Sequence, residues 1–552
     1  MSDPVKIIPL GGLGQIGNNM TVFEQGEGCI LIDAGLSFPR DEMPGVDLVL
    51  PDFTYLREGD PLDAIIITHA HEDHVGALPY VLREVGAKQV WGTRLTLGLL
   101  KSKLDEHGLL QAAEFIEIDP EGGRVPCGPF EVEFARVTHS VPDAVAVALH
   151  TSEGTIVHTG DFKLDHTPID GRPSDLAKLA RLGTAGVDLL LSDSTNAERP
   201  GMTASEQEVA AALKRIIRET PGRVIVTSFA SHIHRLQEVI DASEACGRRV
   251  CVVGRSMVKN LNIARNLGYA EVVEGTLVRP QEIDNLPDER ITVLCTGSQG
   301  EPMSALTRMA FNDHHQISIR RGDTVIMSAK PVPGNELAVH DTMNALSRSG
   351  ARVLHQENAP VHVSGHGAQE ELKTMLSLIK PRSFMPIHGE HRMLSAHAAL
   401  AEGMGVESER IFVCEAGDVL SLEGGDVVRD GQVEAGLVFV DGLGIGDPKD
   451  AVLRDRRQLS TDGTLIIVAQ LHAGPDYRPE VIARGFAPEE ADAADALIDD
   501  VRELAATILS RLAGDGVREH KLVQTHLHDE LAELVWNRAR KRPLVLPVVV
   551  DV

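Results

Sequence analysis

Short apolar runs recur along this chain, and several of them stop at a histidine or an aspartate. Residues 64–67, Ala-Ile-Ile-Ile, read as a buried strand. The polar stretch 69–74, His-Ala-His-Glu-Asp-His, follows at once, and 75–82 reads as the start of a helix. The same change from apolar to polar occurs at Asp33 after 29–32, His139 after the alternating run 130–138, and Asp161 after 155–160. It occurs again at Asp193 after 188–192 and at His388 after 383–387. One His or Asp after a strand is commonplace. Three imidazoles and a carboxylate on a single strand-to-helix turn are not, because these groups are ligands of zinc and related metals. One metal cannot easily use all four from so tight a turn. Two metals side by side can, with His69 and His71 on one and Asp73 and His74 on the other. A His-rich solvated loop is the bland alternative, and the coincidence of further strand ends counts against it.

Between Asp193 and His388 the rhythm changes. Helical runs at 205–218 and 258–267 alternate with apolar strands at 223–227, 250–253, 291–295 and 324–327. That βαβ alternation predicts a compact α/β domain. Because His388 lies beyond it, the domain is an insertion between candidate ligands rather than an appendage. Glycines at 424–425 and across 442–446 predict a break. Beyond the break, Leu497, Val501, Leu504, Ile508 and Leu512 repeat at helical spacing. A second helix near 522–540 and a strand at 544–550 complete a small α/β module. The expected divisions are 1–204, an insertion at 205–355, a return at 356–425, a linker at 426–455 and a C-terminal domain at 456–552.

Gly12-Leu13-Gly14-Gln15-Ile16-Gly17 matches a dinucleotide-binding loop, GxGxxG, and Asp33 falls near the distance of a ribose-binding acid. Such a site needs a helix after the glycines. Here the chain continues strand, Gly-rich turn, strand over 20–32, so the hairpin argues against a nucleotide cofactor.

A chain of 552 residues exceeds one core. No run approaches the ~18 apolar residues of a membrane helix, and the N-terminus lacks a signal peptide's charged start and apolar core. Six cysteines without a CxxC pair read as reduced thiols of a cytoplasmic protein, which leaves nitrogen and oxygen to hold the metals. A formal charge of −28 argues against broad non-specific nucleic-acid binding, though not against a positive groove at the site. The acidity is uneven: 488–492 and 499–500 are acidic while 538–542 is basic. Aromatics at 3% make long stacking platforms for single strands an unpromising reading.

The 69–74 turn resembles the HxHxDH signature of the metallo-β-lactamase superfamily. That resemblance implies an αββα sandwich with two metals at one edge. One metal would take His69, His71 and His139; the other would take Asp73, His74 and His388; Asp161 would bridge them. Asp33 would orient the turn from outside the ligand shell. The inserted α/β domain resembles that of the β-CASP nucleases, whose extra motifs match Asp193, His366 (in His362-Val363-Ser364-Gly365-His366-Gly367) and His388 (in Pro386-Ile387-His388-Gly389-Glu390). Residues 11–18, 228–235 and 362–367, with the extra C-terminal domain, resemble the ribonuclease J family over essentially the whole chain. Ser231-His232 departs from the Ser-Asn often found there.

The chemistry suits a phosphodiesterase. Two metals roughly 3.5–4 Å apart can bind one phosphate and share a hydroxide, which Asp73 would orient or deprotonate. His366, assisted by His362, is the candidate for protonating the leaving oxygen or stabilising the transition state, with Asp193 matching a further motif. Ser364-Gly365-His366 offers a phosphate cradle, and Ser231, His232 and Arg255 from the insertion are the matching positions. Together, as the resemblance implies, they would hold the 5′-monophosphate of single-stranded RNA. The reading is a 5′→3′ exonuclease with additional endonuclease activity, acting in mRNA decay and rRNA maturation. Zinc is expected first and manganese second. The C-terminal domain would support a homodimer or larger homo-oligomer, with an RNA-decay complex as a further partner and no membrane. The competing readings are a hydrolase of a small ester, lactam or thioester, and a weakly catalytic RNA-binding scaffold. His526 and His528 read as a helix surface.

Overall fold

The computed structural model describes residues 3–40, 43–59, 61–332, 334–442, 444–446, 450–471, 477–485 and 491–551. Residues 1–38 and 49–438 form one unit, and 39–48 with 439–552 form a second.

Two sheets face each other in the larger unit. One runs in the order Asp426–Gln432, Asp418–Glu423, Val5–Gly11, Met20–Gln25, Gly28–Ile32, Leu62–Ile66, Ala87–Gly92 and Glu114–Glu117. The other runs Ser383–Ile387, Leu189–Asp193, Thr155–His158, Val145–His150, Phe130–Arg136 and Val125–Cys127. Phe23, Ile30, Phe134, Val147, Leu191 and Met385 share the apolar layer between them. Each such side chain contributes roughly 1.5–3 kcal/mol when removed from water. Helices Leu176–Ala185 and Gln369–Ile379 cover the outer face of the second sheet through Leu179, Leu182, Leu372 and Leu376. This is the αββα sandwich.

Strand direction explains where the ligands gather. Gly28–Ile32 pairs in parallel with Leu62–Ile66, Ile32 opposite Ile66. Thr155–His158, Leu189–Asp193 and Ser383–Ile387 also run parallel, with Leu191 opposite both His158 and Met385. Within each sheet their carboxyl ends therefore emerge together, and Asp33, the 69–74 turn, Asp161, Asp193 and His388 stand at or just beyond those ends. Met20–Gln25 follows the GxGxxG loop as an antiparallel partner of Val5–Gly11, so no helix stands at those glycines.

The inserted domain is a six-stranded, wholly parallel sheet in the order Leu277–Val278, Arg249–Val253, Ile291–Cys295, Val224–Thr227, Thr324–Met327, Arg352–Leu354. Three of its four interior strands are buried throughout, as expected of a parallel sheet covered on both faces. Helix Glu206–Glu219 starts at Ser205, whose hydroxyl accepts from the Gln207 N–H. The helix expected at 258–267 begins earlier, at Arg255, because Gly254 (φ 111°) turns the chain into it.

The expected linker at 426–455 begins with a strand. Gly424 and Gly425 (φ 56° and 81°) form a two-residue hairpin turn, and Asp426–Gln432 pairs with Asp418–Glu423 in the first sheet. Glycines there make a tight turn rather than a break. In the smaller unit, Glu480–Arg484, Thr464–Leu471 and Leu544–Asp551 form a sheet. Helices Ala491–Gly514 and His520–Ala539 pack on it through Leu497, Val501, Ile508, Leu512, Val523 and Leu527. Leu443 and Asp447 of the second glycine stretch, and the acidic residues 488–490, lie outside the described residues. No described helix is long and apolar enough to cross a membrane.

Candidate metal centre

Three imidazole nitrogens converge on one point. His69 Nε2 and His139 Nε2 each lie 3.1 Å from His71 Nδ1. Their outer nitrogens are already engaged. His139 Nδ1 donates to the Gly365 carbonyl at 2.8 Å. His69 Nδ1 faces Thr68 Oγ1 at 3.1 Å, and the Thr68 hydroxyl in turn donates to Asp33. With those protons outside, both Nε2 lone pairs point inward at His71, and a single proton there satisfies only one of them. A cation removes the conflict. Burial first, and the neighbouring imidazoles next, push His69 and His139 well below the usual histidine pKa. Burial pushes His71 down to about 4 against the pull of Asp73 and Asp161. All three are held neutral, the form that binds metal.

The second set is richer in carboxylate. His74 Nδ1 donates to Asp33 Oδ2 at 2.7 Å, which turns Nε2 toward Asp161 Oδ2 at 3.1 Å and Asp73 Oδ2 at 3.8 Å. His388 Nδ1 meets Asp161 Oδ1 at 2.8 Å, and its Nε2 lies 3.3 Å from Asp73 Oδ2. That Nε2 is buried and has no hydrogen-bond partner, an orphan that a metal would occupy. The ligand atoms of His69, His71, His139 and Asp161 fall within 4.8 Å of one another, and so do those of Asp73, His74, Asp161 and His388. Asp161 belongs to both groups, and to a third with Asp193, His366 and His388. Burial opposes charge on His74 and His388, but the surrounding carboxylates, Asp161 foremost, raise both well above the ordinary value. Burial likewise opposes charge on Asp73 and Asp161, yet His74 and His388 draw both well below the carboxylate range. Asp33 and His388 adopt left-handed backbone (φ 61° and 51°), a conformation that costs energy for such residues and clusters at functional sites.

His366 stands beside this centre. Its Nδ1 donates to Asp193 Oδ2 at 2.8 Å and lies 3.9 Å from Asp161 Oδ2. Burial opposes its charge, but Asp193 and Asp161 raise its pKa. His362 takes no part in that pair: burial, reinforced by Arg235 and Lys163, pushes it down to about 3, and its Nδ1 has no partner. Gly365 must be glycine, since a Cβ would lie 2.6 Å from His139 Cε1. Ser364 Oγ accepts from the His366 N–H at 3.2 Å and from Asn196 Nδ2 at 2.9 Å, which leaves its own hydrogen for an anion.

Other expected pocket residues stand apart. Ser231 follows the strand Val224–Thr227, and exposed Arg255 opens a helix after Arg249–Val253. Among the described residues no hydrogen bond joins either side chain to Ser364 or His366. His232 differs most from its expected place. It is 3% exposed, its Nε2 has no hydrogen bond, and it faces Glu206 Oε1 at 3.6 Å. Its position at the start of helix Ile233–Ala245 turns it inward. Several residues that hold the site were missed from sequence. Asn196 and Thr203 both donate to the His366 carbonyl, at 2.9 and 2.7 Å. Asn19 Nδ2 lies 3.0 Å from His74 Nε2 and also donates to the Asp73 carbonyl at 3.0 Å. Their type and spacing gave no signal; only the position of Asn196, three residues beyond Asp193, offered a hint. His526 and His528 are exposed on their helix.

A His/Asp centre at the edge of a two-sheet sandwich, with an α/β domain inserted between its ligands, defines a metal-dependent hydrolase of the metallo-β-lactamase class. Residues 13–226 match the metallo-beta-lactamase superfamily and 352–413 a Zn-dependent metallo-hydrolase RNA specificity domain. Residues 221–346 match the ribonuclease J beta-CASP domain and 451–552 the ribonuclease J C-terminal domain. The chain is 45% identical to ribonuclease J of Thermus thermophilus over 559 residues, covering 100% of this chain and 96% of that one. It is 42% identical to ribonuclease J of Mycolicibacterium smegmatis, covering 99% and 97%. Against ribonuclease J2 of Bacillus subtilis it is 40% identical, covering 100% and 99%. A crystal structure of a protein of unknown function from Enterococcus faecalis shares the fold at a TM-score of 0.53 and 18% identity, covering 76% of this chain and 100% of that one. The chain belongs to the ribonuclease J family and is a metal-dependent ribonuclease.

Proposed function

We propose that this ribonuclease degrades single-stranded RNA from the 5′ end, favours a 5′-monophosphate, and also cuts internally, in mRNA decay and rRNA maturation in the cytoplasm. The observation that carries this reading is the His366–Asp193 pair, 2.8 Å apart, set against the ligand cluster with Ser364 two residues away. His69, His71 and His139 would hold one divalent metal and Asp73, His74 and His388 the other, with Asp161 between. Zinc suits so many imidazoles, and manganese is the alternative. Metals bound there supply Lewis acidity toward water and the phosphodiester. Asp73, kept ionised, orients the attacking water. Asp193 holds His366 Nδ1–H, so the charged ring donates from Nε2 to the leaving oxygen and returns neutral. Asn196 and Thr203 fix the His366 carbonyl and with it the ring's aim. The Ser364 hydroxyl, with Ser231, Arg255 and the Gly365 backbone, would receive the terminal phosphate. His232 would support Ser231 from beneath.

The domain divisions proposed with this reading are 1–204 and 356–432 for the metal-binding sandwich, 205–355 for the insertion and 456–552 for the C-terminal domain. Leu546, Val548 and Val550 form an exposed apolar row on an edge strand of the C-terminal sheet, which supports self-association there. The test is digestion of one RNA labelled at its 5′ end and carrying a monophosphate, a triphosphate or a hydroxyl. Release of labelled mononucleotide, fastest from the monophosphate and absent with Asp73→Ala, is the expected result. Internal fragments indifferent to the 5′ group would remove the phosphate pocket and leave an endonuclease.

A further inference from the structure

Arg235 is wholly buried (0% exposed) in the first turn of helix Ile233–Ala245, four residues after Ser231. Four donations leave its guanidinium. Nε reaches Glu238 Oε2 at 3.0 Å, and Nη2 reaches Glu206. Nη1 reaches both Ser328 Oγ and the Val361 carbonyl, the latter at 3.0 Å. The Ser328 hydroxyl donates to the same carbonyl at 2.6 Å. Val361 immediately precedes His362-Val363-Ser364-Gly365-His366. Glu206 extends the network toward the metal centre: its N–H donates to Asp165 Oδ2 at 3.1 Å. The Asp165 N–H donates to Thr138 Oγ1 at 3.1 Å, one residue before His139.

One planar group thus joins the helix that follows Ser231, the strand end at Ser328, the helix start at Glu206 and the carbonyl that leads into the Ser364–His366 loop. A buried ion cluster adds little net stability over a well-packed apolar filling. Its fork does fix the distance and angle between the groups that it joins. What this cluster supplies is geometry. It fixes the two chain segments that carry Ser231 and Ser364, which no hydrogen bond between those side chains does.

We infer that Arg235 is a positioning residue that sets the spacing between the Ser231 and Ser364–His366 sides of the phosphate pocket, and so sets the preference for a 5′-monophosphate over a 5′-hydroxyl end. The inference rests on the pocket proposed above. A loop displaced by a fraction of an ångström shifts His366 alike for every RNA, an effect that cancels in the ratio between the two 5′ ends. Such a loop no longer meets a terminal phosphate at hydrogen-bond distance.

The test uses the full, metal-loaded chain and two RNAs that differ only in a 5′-monophosphate or 5′-hydroxyl. KM and kcat are measured for the parent, Arg235→Lys and Ser328→Ala, with thermal melting to confirm folding. Lysine keeps the charge and loses the fork. Arg235→Lys is expected to raise KM for the monophosphate RNA about tenfold, within the ~100-fold that a 1 Å misplacement costs, and to move KM for the hydroxyl RNA less than about twofold. Ser328→Ala is expected to shift the same ratio in the same direction by less. The inference is overturned if the parent prefers the monophosphate and both variants keep that ratio, or if Arg235→Lys slows both RNAs equally, as a merely structural residue would. Should Arg235→Lys not fold, Ser328→Ala decides alone, an unchanged ratio overturning the inference. A parent with no preference removes the pocket itself, and the inference falls with it.

Discussion

Two buried polar clusters lie in the larger unit, and they resolve the same difficulty differently. At the metal centre, two imidazole nitrogens face a third at 3.1 Å, and His388 Nε2 is left without a partner. Around Arg235, two carboxylates and a carbonyl share one guanidinium that the chain itself provides. Buried charges and lone pairs need compensation. At the first cluster His69, His71 and His139 offer only neutral rings to one another, whereas in the second the chain supplies the cation itself. A group of ligating side chains that its own protein cannot satisfy is therefore the better sign of a functional site. Burial and polarity alone do not separate the two.

The largest effect should come from removing the one carboxylate shared by both ligand groups. Asp161→Asn is expected to lower activity more than about 100-fold, beyond the 10–100-fold typical of outer partners. Elemental analysis should find fewer than two metals per chain. A full metal complement in this variant would sink the bridging assignment. Next, His366→Ala should cost about 10²–10⁴-fold, the range for a positioned general acid, while both metals stay bound. Loss of metal with the activity would instead make His366 a ligand. Asn196→Ala removes two hydrogen bonds from the Ser364–His366 loop. At about 1 kcal/mol each, their loss predicts a fall of up to roughly thirtyfold in kcat/KM where it is felt in the aim of His366, with melting temperature little changed. Equal kcat/KM would show that the loop holds its shape without Asn196.

What could be read in advance has a physical pattern. The candidate ligands stood out because each follows the end of a strand, four of them on one turn, and the strands before that turn, Asp161 and His388 pair in parallel with neighbours in their own sheets. The false dinucleotide loop was legible too, since the hairpin over 20–32 leaves no helix. Asn196, Thr203 and Arg235 were not, because their partners lie far along the chain: Asn196 bonds across 168 and 170 residues and Arg235 across 126. The inward setting of His232 was hidden for a related reason. Ser231-His232 suggested two side chains facing one pocket, but the helix that starts there turns His232 toward Glu206. Gly424-Gly425 reads equally as a linker or a turn until the strand on its far side is known to pair back.

The finest distinction between the clusters concerns a proton. In the Arg235 network one guanidinium serves two carboxylates, and burial first, with Glu206 adding to it, pushes the Glu238 carboxyl up from 4.5 to about 8 despite Arg235 at 3.0 Å. The folded chain therefore binds a proton there that the unfolded chain releases above about 4.5. For a carboxyl whose folded pKa is raised, the linked stability is full below the unfolded value and is lost as pH rises through the folded value. Melting temperature should accordingly fall between about pH 4.5 and 8 through this group. Glu238→Gln mimics the protonated form and should lack that part of the slope. The quantity to read is the difference between parent and variant across this window, because other groups titrate in both proteins. A gap that favours the variant increasingly as pH rises would establish that Glu238 is neutral when folded, so that one cation and one proton balance the cluster. A constant gap would mean that Glu238 is ionised throughout, with Arg235 holding both carboxylates alone, and the contrast with the metal centre would then rest on geometry only.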